Sequence, residues 1–311
     1  MTKLEANISL VFITFFTSIQ YVFLAGVPSG VSDLSFLFIT SLIGFLILFF
    51  VFFNELFRID RNHIFQCFLL STEVFSFNFF LLLGIDGLDM TVVSSIVSSY
   101  FAFIPIIEYI LFKSKPKLNT VIAIIISIIG VFMIIGFNVN SFMNIKILYL
   151  LLADISIALY MITTGQFAKA SNPAILSMGQ LFFVTIFSFI GWFVESTVFN
   201  GGAMRFPTDA LFWGSVVFIS FFIRGLYTVV QVYAQRYLSP INVSLIFATE
   251  IMMTLFLSRI ISSFFGFMQE IEPITIIKCI GAVFMVTGIL ICDNSFYEFI
   301  IKKIGVSNGK A

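Results

Sequence analysis

The chain has 311 residues, of which 60% are hydrophobic and only 10% are charged, and its mean hydropathy is +1.11. Because soluble domains usually carry about a quarter charged residues, this composition excludes a water-soluble globular protein. The 16 basic and 16 acidic side chains cancel, so net charge predicts no nucleic-acid partner. The three cysteines lie in apolar runs without CxxC spacing; we therefore expect no metal site, and no motif predicts a cofactor.

Ten apolar stretches follow one another along the chain. A helix of about 20 residues crosses the roughly 30 Å hydrocarbon core and satisfies its own backbone hydrogen bonds there. The stretches lie at 8–27, 34–53, 64–83, 91–112, 118–136, 145–164, 174–198, 211–234, 240–261 and 274–292. The connections between them are short and leave no room for a soluble domain. We predict an all-α polytopic membrane protein of about ten transmembrane helices.

Basic residues near the ends of these stretches predict the orientation, because they resist translocation and stay cytoplasmic. With the N-terminus inside, the inner side collects Lys3, Arg58, Arg61, Lys113, Lys115, Lys117, Lys169, Arg236, Lys302, Lys303 and Lys310. The outer side collects Lys146 and Arg205, with Arg259 and Lys278 near the outer ends of spans. We therefore expect a multi-pass protein with both termini cytoplasmic, a short cytoplasmic tail at 297–311, and a bacterial plasma membrane as the default location.

The two halves of the chain resemble each other. Leu88, Val93, Ser94 and Ile96 match Leu238, Val243, Ser244 and Ile246; Val131, Phe132, Met133 and Gly136 match Val283, Phe284, Met285 and Gly288. We predict two five-helix repeats, at 1–140 and 141–296. Since five is odd, the second repeat enters the membrane from the opposite side. Inverted repeats around a midplane site are typical of alternating-access transporters.

Short motifs make a family resemblance specific. The segment 234–240 with the following 245–250 resembles the second-half signature of the drug/metabolite transporter superfamily, EamA type, and 272–288 is similar to that family's last helix. The resemblance implies two inverted five-helix repeats and export or exchange of amino acids, metabolites or drugs. The chain departs from the pattern at Ile251, where the family commonly has proline, and at Lys113, Lys115 and Lys117, which replace an acidic loop residue.

Four ionisable residues lie near the middle of predicted spans: Glu73, Asp154, Arg224 and Glu250. Each costs about 2.5 to 3.5 kcal/mol at a helix centre by insertion scales, so each is a candidate functional residue. Glu73 and Arg224 occupy nearly equivalent repeat positions, and we expect them to face each other, either as a structural ion pair or as a gate. Asp154 and Glu250 are candidate proton carriers or counter-charges for an amine; the alternative is a hydrogen-bonded helix contact.

A polar stripe accompanies Arg224. Thr228, Gln231 and Gln235 follow it at helical spacing, which predicts one polar face and favours pore lining over helix packing. Tyr100, which the repeat places opposite Glu250, and Gln180 are further candidates for orienting a substrate. These residues, with the four ionisable ones, form the predicted substrate pathway.

The sequence favours a secondary transporter that exports a small molecule across the lipid bilayer, as a monomer or homodimer. The excess of acids among the four mid-span residues favours zwitterionic or cationic solutes, and protons are a possible coupling ion alongside facilitated diffusion. An intramembrane enzyme is the main alternative, and HExxH and GxSxG motifs are absent, so we predict that the chain is not an enzyme. A membrane scaffold or signalling protein is the third alternative, and the short loops disfavour it.

Overall fold

The computed structural model describes residues 1–25, 31–85, 96–135, 145–199, 210–250 and 275–292, together with the single positions 253, 257 and 297. Ten helical segments occur in these ranges, each overlapping one predicted span, and the ranges contain no strand. The predicted all-α polytopic membrane fold is confirmed. Residues 91–95 of the fourth predicted span, most of the ninth span after Glu250 and the predicted tail at 297–311, except position 297, lie outside the described residues.

The first five helices begin and end close to the predicted bounds. They are α1 (Lys3–Ala25), α2 (Asp33–Val51), α3 (Arg61–Ile85), α4, which is a 3-10 turn at Ser98–Ala102 continuing as an α-helix at Phe103–Phe112, and α5 (Leu118–Ile135). A further 3-10 turn, Phe53–Arg58, connects α2 to α3.

The second five helices include two stretches of π-helix. They are α6 (Ile145–Ala170), α7 (Pro173–Val194) with a π-helical extension at Glu195–Phe199, α8 (Ala210–Gln235), α9 (Pro240–Ala248) and α10 (Ile276–Cys292). Helix α8 has three parts: α-helix at Ala210–Phe218, π-helix at Ile219–Tyr227 and α-helix at Thr228–Gln235. Sequence periodicity does not predict the π-helical parts.

Length and composition suit membrane crossing. Five helices in the described ranges are long and apolar enough to span a bilayer, namely α2, α3, α6, α7 with its extension, and α8, while α4, α5 and α10 are shorter apolar helices. Three of the helices begin at a side-chain cap. The side chains of Ser32, Asn172 and Ser239 accept backbone N–H groups at the beginnings of α2, α7 and α9. Serine and asparagine are among the residues preferred at this position.

Helices α5 and α10 pack antiparallel through small residues. The Asn119 side chain donates to the carbonyls of Ile291 and Cys292, at 3.4 and 3.2 Å. A Cβ placed on Gly130 would lie 2.6 Å from the Gly281 carbonyl oxygen. Residue numbers therefore rise along α5 as they fall along α10. Small residues permit such close approach between membrane helices.

The other helix pairs show the same alternation of direction. Three further pairs are antiparallel. Helix α2 contacts α7 through Leu34–Gly191 and Phe45–Phe182, and α3 contacts α6 through Gln66–Ser171 and Glu73–Thr163. Helix α1 contacts α8 through Phe16–Phe222 and Phe23–Phe218. Parallel pairs are α3 with α7, through Cys67–Gly179 and Phe75–Phe187, and α2 with α8, through Phe36–Phe212 and Gly44–Arg224. These directions are those of a chain whose helices cross alternately up and down.

One end of the bundle carries seven exposed basic residues at described helix ends. Arg58, Arg61, Lys113, Lys115, Lys117, Lys169 and Arg236 are all exposed and lie at helix ends on this side. At the same end Asn172 donates to Glu55 at 2.8 Å, and Ser171 donates to Gln66 at 2.6 Å. The α2–α3 connection is thus hydrogen-bonded to the α6–α7 connection. At the opposite end, Ser32 donates to Glu195 and joins the start of α2 to the end of α7.

Candidate functional site

Helix α6 packs against helices from both halves of the chain. It packs against α3, α4, α7, α8 and α9, so it contacts helices of both predicted repeats. Along α6, the side chains of Asp154, Tyr160 and Thr164 are buried and that of Thr163 is half-buried. Because α6 contacts several helices, its polar side chains face different neighbours. The candidate residues therefore form separate clusters around it.

The first cluster is centred on Asp154, which is 0% exposed. Its Oδ2 accepts a hydrogen bond from Ser99 Oγ at 3.2 Å, while its Oδ1 is buried and has no hydrogen-bond partner in the described part of the chain. The ion pairs of the described residues are Met1–Glu5, Glu55–Arg58 and Asp60–His63, and Asp154 belongs to none. One neutral donor offsets little of the cost of burying a charged carboxylate. This carboxyl is therefore suited to bind a proton or a cationic group.

Tyr100 and Glu250 belong to the same region. Tyr100 is 8% exposed, and its hydroxyl donates to the Ser244 carbonyl of α9 at 3.5 Å. It lies within electrostatic range of both Asp154 and Glu250. Ser18 of α1 donates to the backbone carbonyl of Glu250 at 3.3 Å. The structure therefore brings these three predicted residues together where α1, α4, α6 and α9 meet.

The second cluster joins α3, α6 and α7. Thr163 donates to Glu73 Oε2 at 2.5 Å. The Tyr160 hydroxyl lies next to the side chains of Gln180 and Thr164, in a geometry too loose for a strict hydrogen bond to either. Tyr160 is also within electrostatic range of Glu73. Glu73 and Gln180 thus both lie near Tyr160.

The predicted pair of Glu73 and Arg224 is not present. Glu73 faces Thr163 of α6, whereas the Arg224 Cβ packs on Gly44 of α2, where an added Cβ would lie 2.6 Å away. No ion pair among the described residues joins them. Equivalent positions in the two predicted repeats do not decide which neighbouring helix each side chain faces.

The predicted polar stripe on α8 is divided. Arg224 lies in the π-helical part, whose wider turn breaks the 3.6-residue register before Thr228. Gln231 and Gln235 are both 0% exposed, and each Nε2 contacts Met161 Sδ of α6, at 3.4 and 3.3 Å. Both Oε1 atoms are buried without a hydrogen-bond partner in the described ranges. The two glutamines therefore lie at the α6–α8 interface, while Arg224 faces α2.

Several polar residues at these clusters were not predicted. They are Ser99, Tyr160, Thr163 and Thr164; the buried Ser41 of α2, outside these clusters, was not predicted either. Their only sequence signal is a hydroxyl inside an apolar run, and membrane helices use the same residues for ordinary packing. The described residues contain no group of three or more His, Cys, Asp or Glu side chains that could hold a metal ion.

Comparison with known proteins gives one family match and one structural likeness. The model of the EamA-like transporter family matches residues 5–136, which is the segment of α1 to α5, and this confirms the resemblance predicted from the sequence. No curated protein matches the chain significantly. A solved structure described as "Crystal structure of protein" superposes with a TM-score of 0.68 at 11% identity, over 95% of this chain and 97% of that one. At that identity the likeness shows the fold alone.

The fold and the family match together define a multi-pass α-helical membrane protein. The match to the EamA-like transporter family covers residues 5–136, and it suggests a membrane transporter of the drug/metabolite type.

Proposed function

We propose that the chain is a secondary transporter that exports a small metabolite, such as an amino acid, an amine or a drug-like solute, by alternating access. Two inverted five-helix repeats, 1–140 and 141–296, would supply the two equivalent states, one open to each side. The antiparallel packing of α5 on α10, which are the corresponding helices of the two repeats, supports this arrangement because inversion requires these helices to run in opposite directions.

The observation that carries the proposal is the position of Asp154. Its carboxyl is fully buried, it accepts a hydrogen bond from Ser99 of the other half, and its second oxygen has no partner among the described residues. A solute site in an alternating-access carrier lies where the halves meet. A buried acid at that junction would bind either a cationic group of the solute or a proton.

The coupling mechanism depends on whether a carboxyl such as that of Glu250 carries a proton during transport. If protons drive transport, a pH gradient drives solute accumulation and Glu250→Gln abolishes the driven component. If the chain is a facilitator, Glu250→Gln changes the apparent affinity and leaves equilibration intact. Measuring accumulation at imposed and collapsed pH gradients separates the two mechanisms.

The basic end of the bundle supports the proposed orientation. Seven exposed lysines and arginines at described helix ends gather on one side, and such residues stay cytoplasmic. We place this end, with both chain termini, in the cytoplasm of a plasma membrane. The acting unit is proposed to be a monomer or homodimer, and catalysis is not part of the proposed function.

The test is a metabolite screen in cells that do and do not express the protein. Expression is expected to lower the cytoplasmic content of at least one small solute and raise it in the medium, and Asp154→Asn is expected to remove most of that difference. Arg236→Gln, at an exposed position, is the control for loss of a charge. Equal metabolite contents in all strains, with the protein present in the membrane, would contradict the proposal.

A further inference from the structure

Arg224 is a cation near the middle of the 26-residue span Ala210–Gln235. Its Nε is buried and has no hydrogen-bond partner in the described part of the chain. The described ion pairs do not include it, and Glu73, the carboxylate expected to neutralise it, is bound to Thr163 instead. A guanidinium in such a position calls for an anion, because its five donors form a fork that matches carboxylates in two-point contacts.

The surroundings of Arg224 supply a second, independent polar group. Ser41 of α2 is 0% exposed, and its Oγ is buried without a hydrogen-bond partner in the described ranges. Ser41 lies one turn before Gly44, the residue on which the Arg224 Cβ packs, so Ser41 and Gly44 share one face of α2.

The directions of α2 and α8 bear on where the side chains of Arg224 and Ser41 lie along the helices. Helices α2 and α8 run parallel here, as the Phe36–Phe212 and Gly44–Arg224 contacts show. Helical side chains lean toward the N-terminus of their helix, so the long side chain of Arg224 extends from the level of Gly44 back toward that of Ser41. The guanidinium of Arg224 is therefore expected to lie close to the unpartnered hydroxyl of Ser41 at the α2–α8 interface.

The local backbone fits a binding role as well. Arg224 belongs to a nine-residue π-helix, Ile219–Tyr227, and π-helical turns occur frequently at functional sites. Gly44 leaves room for the close approach, since any Cβ there would collide with Arg224.

We propose that Arg224 and Ser41 form an anion site between α2 and α8 that binds the carboxylate of the transported solute. The inference rests on the proposed transport function for the identity of the ligand, and it adds the solute's chemical class: an organic acid or a zwitterion with a free carboxylate. A solute that carries only an ammonium group does not satisfy the site.

The binding test uses purified full-length protein in detergent and follows the unfolding temperature. The probes are amino acids, monocarboxylates and dicarboxylates, each paired with its primary amide, and sodium chloride. At least one carboxylate is expected to raise the unfolding temperature while its amide does not. Arg224→Gln is expected to weaken the apparent affinity about tenfold or more, and Arg224→Lys less, since a lysine keeps the charge but loses the fork.

The Ser41→Ala variant shows whether weaker binding arises from the site itself or from misfolding. Its hydroxyl has no described partner, so the variant is expected to unfold at the wild-type temperature without ligand and to bind the carboxylate about threefold to tenfold more weakly. Arg236→Gln is the matched control and is expected to bind as the wild type does. The proposal is overturned if no carboxylate stabilises the protein, if amides act equally, if chloride alone gives the full effect, or if Arg224→Gln binds unchanged.

Transport in sealed vesicles separates this inference from the proposed function. Uptake of a solute without a carboxylate, unchanged in Arg224→Gln, would overturn the inference and leave the transport function standing. Carboxylate binding that depends on Arg224, with no movement of any probe across the membrane, would overturn the transport function and leave the anion site standing.

Discussion

Ser99 donates a hydrogen bond to Asp154 across 3.2 Å, and this contact joins α4 of the first half to α6 of the second. Any movement of one half against the other alters the surroundings of the Asp154 carboxyl. Because that carboxyl is fully buried, its protonation or binding state and the arrangement of the halves are expected to depend on each other.

Asp154→Asn is expected to lower the transport rate at least tenfold while the protein still folds. The amide keeps the shape of the side chain and can accept from Ser99, but it cannot bind a proton or balance a cation. Initial transport rates and unfolding temperatures of the two proteins check this. Ser99→Ala is expected to change the rate less, and a wild-type rate in Asp154→Asn would remove Asp154 from the pathway.

Gly130→Ala is expected to destabilise the protein by about 1 to 3 kcal/mol, in the range of overpacked cores. The added Cβ would lie 2.6 Å from the Gly281 carbonyl oxygen, against backbone that has no flexible way to yield. The unfolding temperature in detergent measures the effect. Gly214→Ala is the matched control, because an added Cβ there meets nothing within 4 Å. Equal stability of the two variants would contradict the close packing of α5 on α10.

Thr163→Val is expected to cost about 1 to 3 kcal/mol of stability, because Glu73 loses the hydroxyl that donates to it inside the bundle. Thr72→Val, one residue before Glu73, is the control, since Thr72 is exposed and bonds only within its own helix. Thermal unfolding of both variants makes the comparison. If Thr163→Val is as stable as Thr72→Val, the hydrogen bond contributes nothing to the fold.

Single cysteines test the orientation of the bundle. In a Cys279→Ser background, Lys115→Cys is expected to react with a membrane-impermeant maleimide only after the cells are opened, whereas Thr197→Cys reacts in intact cells. Both positions are exposed, and the alternation of helix directions places them at opposite ends. The two native cysteines that remain, Cys67 and Cys292, are buried. Reversed labelling would put the termini outside.

The sequence predicts the helices well because hydropathy determines them. Helix α5 begins at Leu118 and α6 at Ile145, as the apolar runs predict, since only a helix satisfies its backbone in lipid. It also predicts the closeness of Tyr100 to Glu250. The π-helical part of α8 could not be predicted, because hydropathy does not record whether a carbonyl accepts from the fourth or the fifth residue along.

The arrangement of side chains around the site was less predictable. The offset between the two predicted repeats pairs α3 with α8, but it does not show that Glu73 meets Thr163 and that Arg224 meets Gly44. Helix rotation and the choice of neighbouring helix decide such contacts, and small differences in packing set both. Ser99 illustrates the same limit, since nothing in the sequence separates it from a packing serine.

Transport through a site at Asp154 is tested most simply by solute movement in sealed vesicles that contain purified wild-type protein or Asp154→Asn. Vesicles are loaded with a mixture of small metabolites, and the loss of each is followed by mass spectrometry. Wild-type vesicles are expected to lose at least one solute much faster than protein-free vesicles, and Asp154→Asn vesicles are expected to resemble the protein-free ones. Identical retention of every solute in all three would contradict transport through this site.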